Sequence, residues 1–194
     1  MKKIIIALSI IVMPILGLFA LSNIESKYPI VFKEDRTFKE GDIIFQTSKS
    51  KQSPLIQLAT KSPLSHCGII VYKNKKPYVL EASNVVKLTK LNKWIFKGRG
   101  ELYWKLRILD DCPKIKYKKY LGMPYDRAFK FNNNKMYCSE LVYTIYKEQL
   151  GITLCKPKKV SSYNIFWLHR TLKNRHINPN QLVVSPEDIY SSTR

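Results

Sequence analysis

The chain has 194 residues, 45% of them apolar, and a formal charge of +20. That size and apolar content suit one domain with its own core and exclude a disordered composition. The positive residues are scattered rather than blocked, and no zinc-finger, helix-turn-helix or RNA-binding signature is present, so nucleic acid is not an expected partner. The charge instead predicts attraction to anionic surfaces such as acidic lipid or cell-wall polymer.

Met1-Lys2-Lys3 is a short basic head, and Ile4 to Leu21 is an apolar run interrupted by Pro14. With the small residues Ala20 and Ser22 after it, the run reads as an export signal or an uncleaved membrane anchor over residues 1–22. Either reading puts the remainder, residues 23–194, in the periplasm or outside the cell. No Gly-, Ser- or Pro-rich linker divides that remainder, so it reads as one domain. In such a compartment the four cysteines, Cys67, Cys112, Cys138 and Cys155, could bridge; Cys112–Cys155 is the first pair to test, and spacing leaves all of them open to being free.

After a charged lead-in, Ile43-Ile44-Phe45 is a short strand. Ser53-Pro54 opens a helix, Ser as N-cap and Pro at N1. Ser65 to Tyr72 and Tyr78 to Ser83 are strands around the polar turn Lys73 to Lys76, a β-hairpin. A short amphipathic helix is predicted near Leu88–Phe96, a strand over Glu101–Leu109, and a basic helix over Pro113–Leu121 that Gly122 closes. Met136 to Tyr146 reads as a helix with Cys138 in its first turn. Cys138, Leu141, Val142 and Ile145 form its apolar face, Gly151 stops it, and Asn132 to Asn134 upstream are candidate N-caps. Ile165–Leu172 and Pro186–Ser191 complete the elements. A small antiparallel sheet with helices packed on one side gives an α+β class.

A thiol at a helix start feels the positive end of the macrodipole, which favours thiolate. Such a nucleophile needs a base, and the base needs an orienting group. Of three histidines, His169 and His176 read as structural or solvated, whereas His66 begins an apolar strand. Glu81 is a carboxylate inside the strand YVLEAS, where a buried acid requires a partner. With the turn centred on Asn74-Lys75, Tyr72 faces Pro77, Gly68 faces Glu81 and His66 faces Ser83. His66 and Glu81 are then diagonal neighbours on one face, ~7–8 Å apart at the backbone and within side-chain reach. Cys67 points away from His66. Zinc is the competing reading of His, Cys and Glu, but the ligand spacings of zinc sites are absent, and no metal or other cofactor is expected.

GDIIFQ, SPLSHCGIIV, YVLEAS and GMPYDRAF with YCSELVY, in that order over roughly residues 41–190, resemble the permuted papain-like (NlpC-type) hydrolases of the YaeF/YiiX kind. The resemblance implies a circularly permuted papain-like fold, with Cys138 as nucleophile, His66 as base and Glu81 as orienting acid. Tyr125, Gln46 and Ser139 become substrate-side residues, Tyr125 also toward an oxyanion. It implies a cysteine amidase or peptidase acting on cell-wall peptide or a similar amide. The alternatives are a lipid acyltransferase or esterase using the same site, and a non-catalytic envelope-binding module. The chain departs from the pattern at Asn132–Asn134, where an acidic residue is expected, which touches substrate preference.

Overall fold

The computed structural model describes residues 37–192, so the signal or anchor reading of residues 1–22 lies outside the described residues. At its centre is a five-stranded antiparallel sheet in the order β4-β3-β2-β1-β5. Its strands are β1 (Ile43–Gln46), β2 (His66–Lys73), β3 (Lys76–Ala82), β4 (Val86–Lys90) and β5 (Trp104–Leu106). The helices are α1 (Ser53–Thr60), α2 (Leu91–Phe96), α3 (Cys138–Leu150), α4 (His169–Asn174) and α5 (Pro186–Ser192). A two-residue ladder, β6 (Lys158–Lys159) with β7 (Leu182–Val183), stitches the C-terminal third. Among the described residues no helix is long and apolar enough to cross a membrane.

Alternation along the strands decides which side chains meet. Phe45, Ile69, Val71 and Leu80 face α3 and pack with Leu141, Val142, Ile145 and Tyr146. Ile44, Ile70 and Val79 point the other way, against Trp94 and Ile95 of α2 with Phe38 and Tyr103. The sheet is therefore covered on both faces, not on one as the sequence suggested. That is why β2 reads as a continuous apolar run rather than an alternating one.

The hairpin register agrees with the turn arithmetic: Tyr72 pairs with Pro77 and Ile69 with Leu80. Both turn residues, Asn74 and Lys75, take positive φ of 50° and 60°, as a type I′ turn requires. Gly68 is needed for the close approach of β3, since a Cβ there would lie 2.5 Å from Val79 Cγ1 and 2.7 Å from the Leu80 carbonyl oxygen.

Several elements differ from expectation. Leu88 belongs to β4, paired with Leu80, so the helix begins only at Leu91. The strand expected over Glu101–Leu109 shrinks to β5, after a 3-10 turn at Arg99–Glu101. The basic helix over Pro113–Leu121 is a loop with one 3-10 turn, Lys118–Tyr120. Its backbone donors go elsewhere: Ile115 N–H to Glu40 Oε1 and Lys116 N–H to Gln149 Oε1. Helix α1 has Gln52 rather than Ser53 as N-cap, and the Ser53 hydroxyl bonds Ser65 instead. Tyr137 is the N-cap of α3, its N–H bonded to Glu140 Oε2 at 3.3 Å. The asparagines do not cap. Asn132 and Asn134 hold positive φ, and Asn133 Nδ2 donates to Asp126. Segment 165–172 divides into a 3-10 turn, Phe166–Leu168, and α4. Gly151 ends α3 in the left-handed conformation, φ 69°. Ser185 and Asp188 bond reciprocally at the start of α5, a capping box.

All four cysteines are free, so the Cys112–Cys155 bridge is not formed. Cys112 lies against Gly41, while Cys155 sits in the main core near Asp188.

The buried Asp42 just before β1 is gripped in a fork by Arg107 beyond β5, Nε to Oδ1 and Nη2 to Oδ2 both at 2.7 Å. This pair locks the edge of the sheet. Arg107→Ala strands a desolvated carboxylate and is expected to cost about 3 kcal/mol, read as a lowered urea midpoint with unchanged slope. Loss of less than ~0.5 kcal/mol would show that the fork does not hold the edge.

Candidate active site

Three pieces of backbone deliver the site. The start of β2 presents His66, and the next strand presents Glu81 on the same face. His66 Nε2 meets Glu81 Oε2 at 2.7 Å. Helix α3 places Cys138 at its first position, hydrogen-bonded to the His66 ring. Because Nε2 is taken by the carboxylate, Nδ1 is the ring nitrogen left for the sulfur. The sequence-picked Cys138, His66 and Glu81 thus converge from positions far apart in the chain.

Each charge is desolvated and then compensated. Glu81 is 2% exposed. Burial works to raise its pKa, but the hydrogen bond and charge of His66, the Thr89 hydroxyl and the Lys97 ammonium hold it down at about 2. Thr89 Oγ1 donates to Glu81 Oε1 at 2.6 Å, and Lys97 Nζ lies 3.6 Å from the same oxygen. Burial opposes the charged form of His66, yet the hydrogen bonds and charges of Cys138 and Glu81 outweigh it and raise its pKa to about 10. The ring also stacks on Trp94, centroids 5.8 Å apart and planes 26° apart. Cys138 is held well below the ordinary thiol range, first by a hydrogen bond from the Cys67 thiol and, against burial, by His66 and the Cys67 backbone N–H. Both shifts favour thiolate and imidazolium as the resting pair.

The linkage has a definite sign. His66 contributes stability in full below its ordinary 6.5, and loses it as pH rises through about 10. Glu81 contributes above its ordinary 4.5, and loses it as pH falls toward about 2.

Thr89, Lys97, Trp94 and Cys67 were not singled out as helpers in the sequence. Only the wish of a buried carboxylate for several donors hinted at Thr89 and Lys97. Cys67 does point off the His66 face, into the core, and burial pushes its thiol pKa up, but it touches Cys138 from below. Gln46 pairs with His66 across β1 and β2, and its buried Oε1 has no hydrogen-bond partner. Tyr125 is fixed by its N–H to the Asn84 carbonyl, and its hydroxyl meets Gln52. Burial, then the nearby Cys138 charge, raises the Tyr125 pKa well above 10. Ser139 turns its hydroxyl to the Val184 carbonyl at 2.7 Å, joining α3 to the segment after β7. His169 and His176 are exposed and play no part in this cluster.

A cysteine at a helix tip, following in sequence the strands that carry its histidine and carboxylate, is the papain-like arrangement in permuted order. Residues 37–190 match the family described as "Permuted papain-like amidase enzyme, YaeF/YiiX, C92 family", and the chain belongs to it. It is 38% identical over 164 residues to "Uncharacterized protein YiiX" of Escherichia coli (strain K12), covering 78% of this chain and 81% of that protein. It is also similar to a solved structure described as "metalloprotein yiiX from Escherichia coli O157:H7", at 37% identity and a TM-score of 0.71, covering 78% of this chain and 91% of that one. The word metalloprotein belongs to that relative. Among the described residues here, no group of three or more His, Cys, Asp or Glu is disposed to hold a metal.

Iodoacetamide is expected to alkylate Cys138 far faster than Cys67, Cys112 or Cys155, with a rate nearly flat from pH 7 into the acid range. His66→Ala should slow labelling about tenfold at pH 7, the loss of thiolate being partly offset by higher intrinsic nucleophilicity. Peptide mapping checks this; equal, slow labelling of all four would contradict the ion pair.

Proposed function

We propose that this protein is an exported thiol hydrolase that cleaves an amide through an acyl-enzyme on Cys138. Its family is one of permuted papain-like amidases, which supports hydrolysis as the coarse activity. The observation that carries the finer reading is the single imidazole of His66 bonded to both Cys138 and Glu81.

In this reading the Cys138 sulfur attacks the amide carbonyl. The developing oxyanion is met by the backbone N–H at the start of α3 and by Tyr125. The His66 proton passes to the departing nitrogen as the C–N bond breaks. Water, deprotonated by the now neutral His66, then attacks the thioester and frees the acid and the thiol. Glu81 keeps the ring in the tautomer and orientation that both steps need.

An amide is favoured over an ester by the family, which is described as one of amidases. Gln46 lines the polar cavity beside His66, with Glu81 and Tyr125 in the same wall, while its buried Oε1 is turned toward Gly98. The charge of +20 and the apolar N-terminus support work outside the cytoplasm, near anionic lipid or cell-wall polymer. Cell-wall peptides are the first substrates to test.

Cys138→Ala is expected to abolish amine release. Glu81→Gln should lower kcat by roughly 10²-fold and move the alkaline limb of the pH profile down from about 10, because the carboxylate no longer supports the imidazolium. Full activity in the Cys138 variant would sink the reading and leave an envelope-binding module.

A further inference from the structure

Two cavities flank the site, one reaching His66 and Glu81 and the other Cys138, and they differ in kind. The first, the polar one, holds about 400 Å³ and is lined by Gln46, Lys49, His66, Glu81, Lys97 and Tyr125 among others. The second, about 120 Å³, runs from Cys138 between α1 and the C-terminal segment. That is roomy against the ~10–15 Å³ one water needs. Gln52 and Ile56 line both and form the seam between them.

The second cavity is apolar by construction. Leu55 and Ala59 of α1 face Phe129, Leu168, Leu172 and Val183 across it. These residues belong to an apolar cluster separate from the main core, built largely by residues 160–183. Several polar side chains in its wall are hydrogen-bonded within the protein. Ser139 donates to the Val184 carbonyl, Thr60 to the Ile56 carbonyl, and Tyr163 and Ser185 both to Asp188. At the seam, Arg175 Nη1 donates to Gln52 Oε1 at 3.0 Å. A peptide strand laid here would leave its amides unsatisfied, each costing about 1–3 kcal/mol. A hydrocarbon chain needs no partners and gains from burial.

Resting on the thiol-hydrolase reading above, we propose that this apolar cavity receives the acyl chain of the substrate. The scissile bond is then that of an N-acyl amide, with a hydrocarbon acyl group on one side of Cys138 and a polar amine in the other cavity. The step balances without a co-reactant beyond water. The S–C bond forms as the C–N bond breaks, the amine leaves with the His66 proton, and water releases the fatty acid from the thioester.

The test uses two series, both below micelle-forming concentration. Chloromethyl ketones with alkyl groups from methyl to undecyl alkylate Cys138 with loss of chloride, and intact mass gives the rate. Acyl amides of aminomethylcoumarin, from acetyl to dodecanoyl, give kcat/KM. Both are expected to rise about fourfold per methylene until the cavity is filled. Ala59→Trp should compress the long-to-short ratio toward one in both series; if that variant does not fold, the unmodified protein's trend decides alone. A rising ketone series upholds the acyl cavity even where the coumarin amides turn over slowly. Rates independent of chain length, or fastest labelling by a phenylalanyl peptide ketone, would overturn it while leaving the thiol hydrolase standing. Failure of every ketone to label Cys138, with no turnover, would instead overturn the hydrolase reading itself.

Discussion

A charged imidazole in a dry place is costly unless both of its nitrogens are engaged by anions, and the His66 ring meets that condition. Its Nε2 lies 2.7 Å from Glu81, and its other side is bonded to Cys138. Each anion must in turn be compensated. Thr89 and Lys97 serve the carboxylate, and Cys67 serves the sulfur through its thiol and its backbone N–H. Removing any one leaves a buried charge short of a partner, which is why the cluster acts as a unit rather than as a sum of pairs.

That requirement reaches into the fold. The diagonal from His66 to Glu81 exists in only one register of the β2–β3 hairpin, since a slip by one residue sends Glu81 to the opposite face. The positive φ values of Asn74 and Lys75 and the close approach at Gly68 hold that register. Helix α3 packs on the other face of β2, which brings its first residue to the strand's first residue. Sulfur, ring and carboxylate meet at the end of the sheet rather than in its middle, so two cavities can open beside them.

The two cavities give the site a direction. One wall offers ammonium groups, an imidazole and a carboxylate; the other offers mostly hydrocarbon. The C-terminal segment, with its own small core, roofs the apolar side. Chemistry and selectivity are thereby assigned to different parts of the chain.

Much of this was legible in the residues themselves. Strand and turn lengths fixed the hairpin register, a carboxylate among apolar residues asked for a partner, and a cysteine opening an amphipathic helix stood out. Local patterns misled where tertiary partners took the backbone's bonds, as at Ile115 and Lys116, whose donors go to Glu40 and Gln149 instead of a helix. The asparagines before α3 look like caps, but they shape a loop around Asp126. What one dimension determined was therefore the triad of residue types and its hairpin half, because those depend on period and spacing. The contact of Cys138 with Cys67, the second covered face of the sheet and the apolar cavity were decided only in three dimensions. They join segments tens of residues apart, whose meeting depends on how α3 and the C-terminal segment pack and not on any pattern within them.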